Sequence, residues 1–224
     1  MLFLWRVWVG CFAIAIAGAS DAAVVSFSLD QSNELADGPA YLRVTIDDEG
    51  LSGRINFHVA ALSPLFSLAE ENFGIQKFGF NSAFSLSAAK IVGLPANWSY
   101  DGAGAMSAFG RYGAITEANK GSARLRALSF SITGLSSDTI SSYLLPSSGH
   151  AGEGNFFFAA HVAGFESPEC CHVTSAYFAG SKPEPVAAVP LPGSAWLLLG
   201  GLIALGNLFR AFRVPGLRVS IRPT

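Results

Sequence analysis

The sequence predicts a mainly β fold, an antiparallel β-sandwich of jelly-roll or immunoglobulin-like type, over residues 20–180. Three observations point to it. Apolar residues recur with period two along most of the chain, the pattern of half-buried strands. Clusters of Gly, Asp, Asn, Ser and Pro interrupt these runs where turns belong. Between the two apolar ends, a sustained helical period is missing.

Val25, Phe27 and Leu29 alternate with Ser26 and Ser28 and open the series. Leu42, Val44 and Ile46 alternate with Arg43 and Thr45, and Ile55, Phe57 and Val59 with Arg54, Asn56 and His58. Further strands are expected at Ile75–Phe80, Phe84–Leu86, Leu128–Ile132 and Asn155–Val162. The last of these is apolar on both faces, as a central strand is. Val173–Phe178 supplies a final strand, and only Ala61–Phe73 has room for a short helix. Turn residues gather at Asp47–Gly50, Gly93–Asn97, Asp101–Gly104 and Ser147–His150. No repeat period emerges, which argues against solenoids and propellers.

The chain has 224 residues and a formal charge of −2. Ser20 to Val189 holds all 16 acidic residues and 9 of the 14 basic ones, a formal charge of −7 for the body. An acidic body without a basic patch argues against nucleic acid as a partner. No G-x-S-x-G, P-loop or H-E-x-x-H occurs, and the acidic residues fall mostly in turns, so the expectation is a non-enzyme without a cofactor. His58 alternates outward and reads as a solvated or cross-strand side chain. His161 lies in an apolar strand and reads as a neutral core histidine bonded to backbone.

Residues 1–19 have the order of a secretory signal. Arg6 is the only charge, Val7–Ile16 is apolar, and Ala17-Gly18-Ala19 is a small-residue exit of A-x-A type. Cleavage is expected before Ser20, with Ala22 a second choice; the alternative is an uncleaved signal anchor. Cys11 belongs to the apolar run.

At the other end, Val189-Pro190-Leu191-Pro192 abuts an uncharged stretch that runs to Phe209, followed by Arg210 and Arg213. The prolines hold the backbone extended. At ~1.5 Å per residue, Leu191–Phe209 reaches across most of a ~30 Å hydrocarbon core. The arginines, with Arg218 and Arg222 in a basic tail at 214–224, orient that end to the cytoplasm. Residues 181–188 then read as a proline-rich linker and 189–213 as one functional signal.

This tail resembles the PEP-CTERM sorting signal in its VPLPA-like variant, with the motif falling on Val189, Pro190, Leu191 and Pro192 and the basic end on Arg210 and Arg213. Gly193 stands where an alanine is common. The resemblance implies export across the inner membrane of a Gram-negative bacterium and transient anchoring by a C-terminal transmembrane helix. It also implies processing by an exosortase, a membrane cysteine transpeptidase, and association with exopolysaccharide or biofilm at the cell surface. Pro183-Glu184-Pro185 also matches the letters of the class name, as linker or as a second candidate. The alternative is an ordinary anchor with a proline-rich stalk.

Two further constellations are candidates within the body. Adjacent Cys170 and Cys171 favour a vicinal disulfide, against free thiols or an intermolecular bridge, and metal binding is not expected there. Trp98 and Tyr100 are candidates for stacking on sugar rings, against the commoner role of strand aromatics in a core. Asp47-Asp48-Glu49 reads as a solvated hairpin turn in preference to a calcium loop.

Overall fold

Period-two alternation becomes two six-stranded antiparallel sheets. The computed structural model describes residues 22–166, 172–185 and 201–202. The chain divides into two units, Met1–Pro185 and Val186–Thr224, a division inside the span 181–188 expected as linker. Of the second unit only Gly201 and Leu202 are described, both helical. The expected signal peptide and nearly all of the sorting tail therefore lie outside the described residues. Among the described residues no helix is long and apolar enough to cross a membrane.

One sheet, sheet A, contains β1 (Val24–Leu29), β3 (Leu42–Asp47), β4 (Arg54–Ala61), β6 (Ile91–Val92), β9 (Ala127–Thr133) and β12 (Lys182–Pro183). Their order is β12-β1-β3-β4-β9-β6. Sheet B contains β2 (Gln31–Ser32), β5 (Ala69–Phe80), β7 (Trp98–Ala105), β8 (Arg111–Ala118), β10 (Phe158–Phe165) and β11 (Ser175–Gly180). Its order is β2-β11-β10-β5-β8-β7. The chain crosses repeatedly between the sheets, so each mixes early and late strands.

The sheets face each other across aromatic side chains, in keeping with a β-sandwich. Phe57 of β4 stacks on its cross-strand neighbour Phe130 of β9, centroids 5.0 Å apart and planes 3° from parallel. It also meets Phe80 of β5 at 5.0 Å and Tyr143 edge-on at 5.4 Å. Phe27 and Phe158 join β1 to β10 at 5.3 Å, and Tyr41 and Phe178 pack at 4.8 Å. Leu29, Leu42, Val44, Ile46 and Val59 are fully buried on the same inner face. As expected, β10 is buried on both faces, at Phe158, Ala160 and Val162 and also at Ala159 and Ala163.

Four local expectations are corrected. The helix shrinks to α1 (Ser63–Phe66), and Ala69–Phe73 instead begins β5, where Ala69 pairs with Phe165. Phe84–Leu86 alternates but joins no sheet; the neighbouring Ala83 amide donates to Ser142 and the Phe84 amide to the Ser82 hydroxyl. Alternation marks an extended backbone, and a ladder needs a free edge besides. Asp101–Gly104, read as a turn, is strand, because β7 tolerates its glycines at register shifts on either side of Gly102. Finally, β10 begins at Phe158 and β11 at Ser175, each later than the sequence suggested.

A second apolar cluster covers the outer face of sheet B. The β7–β8 hairpin carries Met106 and Phe109 over Ile115, Ala159 and Ala179. It fits because Gly79 has no side chain: a Cβ there would lie 3.0 Å from Met106 Cγ and 3.1 Å from Ile115 Cδ1.

Phe57→Ala removes the ring common to four of these aromatic contacts, with Phe78, Phe80, Phe130 and Tyr143. A loss of about 3–5 kcal/mol is expected in urea denaturation of the 22–185 domain, because a cavity replaces the ring. A loss below about 1 kcal/mol would mean that the core does not depend on this stack.

Candidate functional site

Strand alternation sends every second side chain of sheet A outward, where the sequence supplies hydroxyl, amide and imidazole groups. One row runs Ser26, Thr45, His58, Ser129 across β1, β3, β4 and β9, and the next runs Asp47, Asn56, Ser131. The Ser26 and Thr45 hydroxyls share a hydrogen bond of 2.9 Å, and His58 Nδ1 lies 2.8 Å from Ser129 Oγ. His58 is thus the cross-strand side chain that its position in the sequence suggested. Ser131 donates to Asn56 Oδ1 at 2.6 Å and Arg54 Nε to the same oxygen at 3.1 Å, while Asn56 Nδ2 is buried without a hydrogen-bond partner among the described residues. These rows line a shallow groove of about 350 Å³ bounded by Thr45, Asp47, Asn56, His58, Gly93, Ser129 and Ser131.

The carboxylates beside it are occupied by turn formation. Asp48 accepts from the amides of Ala23 at 2.8 Å and Gly50 at 2.9 Å, and Asp47 accepts from that of Glu49 at 2.7 Å. The Gly50 and Ala23 amides hold the Asp48 carboxyl below the ordinary range. Among the described residues no group of three His, Cys, Asp or Glu is placed to hold a metal ion.

The aromatic pair, weighed as a sugar platform against the commoner core role, lies on β7. Trp98 and Tyr100 share the inward parity of β7, opposite Ala118 and Thr116. Trp98 is only 7% exposed, and its indole N–H donates to the Ala123 carbonyl at 2.8 Å. Tyr100 packs half-buried against the core, and burial raises its phenol pKa. The Trp98 ring is thus taken up by the core, whereas Tyr100 also lines a surface pocket with Ser82, Ser85 and Gly113.

His161 stacks on Tyr177, centroids 4.4 Å apart and planes 19° from parallel, in place of the expected backbone bond. Its other cross-strand neighbour, Lys77, pairs with Glu117 at 3.0 Å. Burial, then the charges of Lys77 and Arg124, push the His161 pKa down to about 4.

The root of the C-terminal tail is the third feature. At Gly180 β11 passes β1 so closely that a Cβ would overlap the Ser28 carbonyl, and the chain there crosses from sheet B to sheet A. Then β12 pairs with β1, Lys182 opposite Ser28 and Pro183 opposite Phe27. Glu184 Oε2 lies 2.7 Å from Arg43 Nε, Oε1 accepts from Ser28 Oγ at 2.7 Å, and the Glu184 amide donates to the Ser26 carbonyl at 2.8 Å. Burial works against this charge, but Ser28 and Arg43 outweigh it and hold the carboxyl below its ordinary range.

The sorting residues Val189, Pro190, Leu191, Pro192, Arg210 and Arg213, the cleavage residues Ala17, Ala19 and Ser20, and the pair Cys170 and Cys171 lie outside the described residues. Sequence reasoning missed the serine–threonine rows as a surface, although the residues alternating with Val44, Phe57 and Phe130 contained the signal. Compared with known proteins, the chain matches no family model, no curated protein and no solved structure.

Because the folded pKa of His161 is depressed below the ~6.5 of an unfolded histidine, the unfolded chain binds the extra proton first. Its contribution to stability is therefore complete above pH ~6.5 and is lost as pH falls toward about 4. His161→Phe is expected to flatten the fall of the urea midpoint between pH 6.5 and 4. A slope identical to wild type would remove His161 as its source.

Proposed function

We propose that this chain is an exported, non-enzymatic surface or extracellular-matrix protein of a Gram-negative bacterium. Its body is a β-sandwich of jelly-roll or immunoglobulin-like type, delivered by an N-terminal signal and processed by an exosortase at Val189–Pro192. The observation that carries this reading is the order of the tail: proline motif, uncharged stretch, then arginines, directly after a β domain that ends at Pro185. In this scheme the inner membrane holds the precursor through the uncharged stretch Leu191–Phe209, with exopolysaccharide or biofilm as the final setting. Nucleic acid is not a partner in this scheme.

Pro190→Ala with Pro192→Ala tests it in an exosortase-containing host. The uncharged stretch and the arginines are retained, so export and insertion are expected to persist while processing stops and full-length precursor accumulates. Equal full-length masses for wild type and double variant would leave only an anchored domain.

A second reading, compatible with the first, is a carbohydrate- or protein-binding module. It is favoured by the groove on sheet A, whose fixed hydroxyl, amide and imidazole groups suit a polyhydroxylated ligand. If it holds, glycan-array binding by the 22–185 domain is expected to fall at least tenfold in His58→Ala with Asn56→Ala. Absence of wild-type binding, or binding unchanged by the pair, counts against this surface.

A further inference from the structure

We infer that Arg43 and Ser28 latch Glu184 onto sheet A, rooting the tail at Pro185 and withholding Pro183-Glu184-Pro185 from the processing enzyme. The consequence for processing rests on the exosortase reading proposed above; the latch itself does not.

A transpeptidase needs an extended peptide whose backbone is free to enter its active site. Its cysteine thiolate attacks a backbone carbonyl, the C–N bond breaks, and the C-terminal fragment leaves as an amine that takes up a proton. Water or an acceptor amine then displaces the thiol from the thioester. Residues 182–184 do not offer such a backbone. Lys182 and Pro183 are paired with β1, the Glu184 amide is bonded to Ser26, and both Glu184 carboxylate oxygens are held, one by a guanidinium and one by a hydroxyl. Hydrogen bonds to an ionised carboxylate are about twice as strong as neutral ones, and removal of either partner leaves a half-buried charge less well satisfied.

Of the two proline segments in the tail, the fold thus takes up one, and Val189–Pro192 is left to be read. The sequence between root and motif is Val186-Ala187-Ala188, and three residues can reach at most roughly 10 Å at ~3.3–3.6 Å per residue. Release of the latch lengthens that spacer by the residues of β12 and Glu184. Arg43, Ser28 and Glu184 are therefore positioning residues for a cut made elsewhere.

Two measurements on the full chain decide it. Hydrogen exchange is followed at the amides of Lys182–Ala188 in purified, uncut wild type and in Glu184→Gln and Arg43→Ala, with circular dichroism confirming that each variant keeps its β fold. At least tenfold faster exchange at Glu184 in the variants is expected; equal rates in all three would overturn the latch. The intact mass of the exported product in an exosortase-containing host gives the second measurement. A product ending beyond Pro185 supports the assignment, and one ending at or before Pro185 overturns it. If wild type is not cut at all, the sorting reading falls by itself, and the exchange rates alone then uphold or overturn the latch.

Discussion

Phe57, Phe130, Phe78 and Phe80 form the contact on which the two sheets depend. Phe57 and Phe130 are cross-strand neighbours within sheet A, and Phe78 and Phe80 occupy successive inward positions on β5 of sheet B. Their rings meet between the layers at 5.0 to 6.4 Å. Charged residues make up only 13% of this chain, and the ion pairs Arg54–Glu49 and Lys77–Glu117 are partly exposed, so each contributes little to holding the layers together. Burial of apolar surface therefore does most to hold the layers together, and phenylalanine supplies the most area per inward position. The small hydroxyl residues facing outward follow from the same constraint, since a twisted sheet face needs only side chains that satisfy one another or water.

Sheet B solves a different problem on its outer side. There the β7–β8 hairpin and the segment around Ser147 and Phe156 fold back and bury a second cluster. Room for this comes from missing side chains: Gly79 beneath Met106, Gly104 against Ile115, and Gly110, where a Cβ would come within 2.7 Å of the Ser148 carbonyl. The Ser147 hydroxyl donates to the Phe109 carbonyl at 2.6 Å, and Arg111 and Ser148 exchange backbone bonds, so the cover is tied down by its polar atoms. One face of the domain is therefore closed and apolar beneath its cover, and the other is open and polar.

Strands that alternate cleanly, such as β3, β4 and β9, are legible in the sequence because each packs one face against the core and leaves the other wet. Besides the two-residue strands β2, β6 and β12, two long ones escape, β7 and β8, which pair with each other through bulges. Between Gly102 and Gly104 the register slips, so that Tyr112 and Ile115, three positions apart, reach the same outer cluster. A period-two reading fails where the period itself is broken. Turn residues mislead for the same reason, since glycine serves a bulge and a turn alike through left-handed backbone, as at Gly102 with φ 74°. As members of β7, Trp98 and Tyr100 share the parity of Ala118 and Thr116, in line with the commoner core role of strand aromatics. The polar rows on sheet A are legible residue by residue, but which of them stand side by side depends on the pairing of β3, β4 and β9, and that comes from tertiary structure.

The same dependence governs the tail. Read as a string, Pro183-Glu184-Pro185 looks like solvated linker, since proline disfavours central strands. An edge position removes the objection: β12 lies outermost on sheet A, and a proline there costs no ladder bond on its open side. Pro183 ends the two-residue strand and Pro185 follows the ion pair, so the prolines delimit the attachment while Glu184 makes it. The neighbouring crossing at Gly180 requires β1 and β11 to approach without a side chain between them, and Ser28, at that approach, is also the hydroxyl that binds Glu184. Ser28 and Arg43 face each other across β1 and β3, so sheet A supplies the site, and the close passage at Gly180 brings the chain from β11 onto β1 where Glu184 meets it.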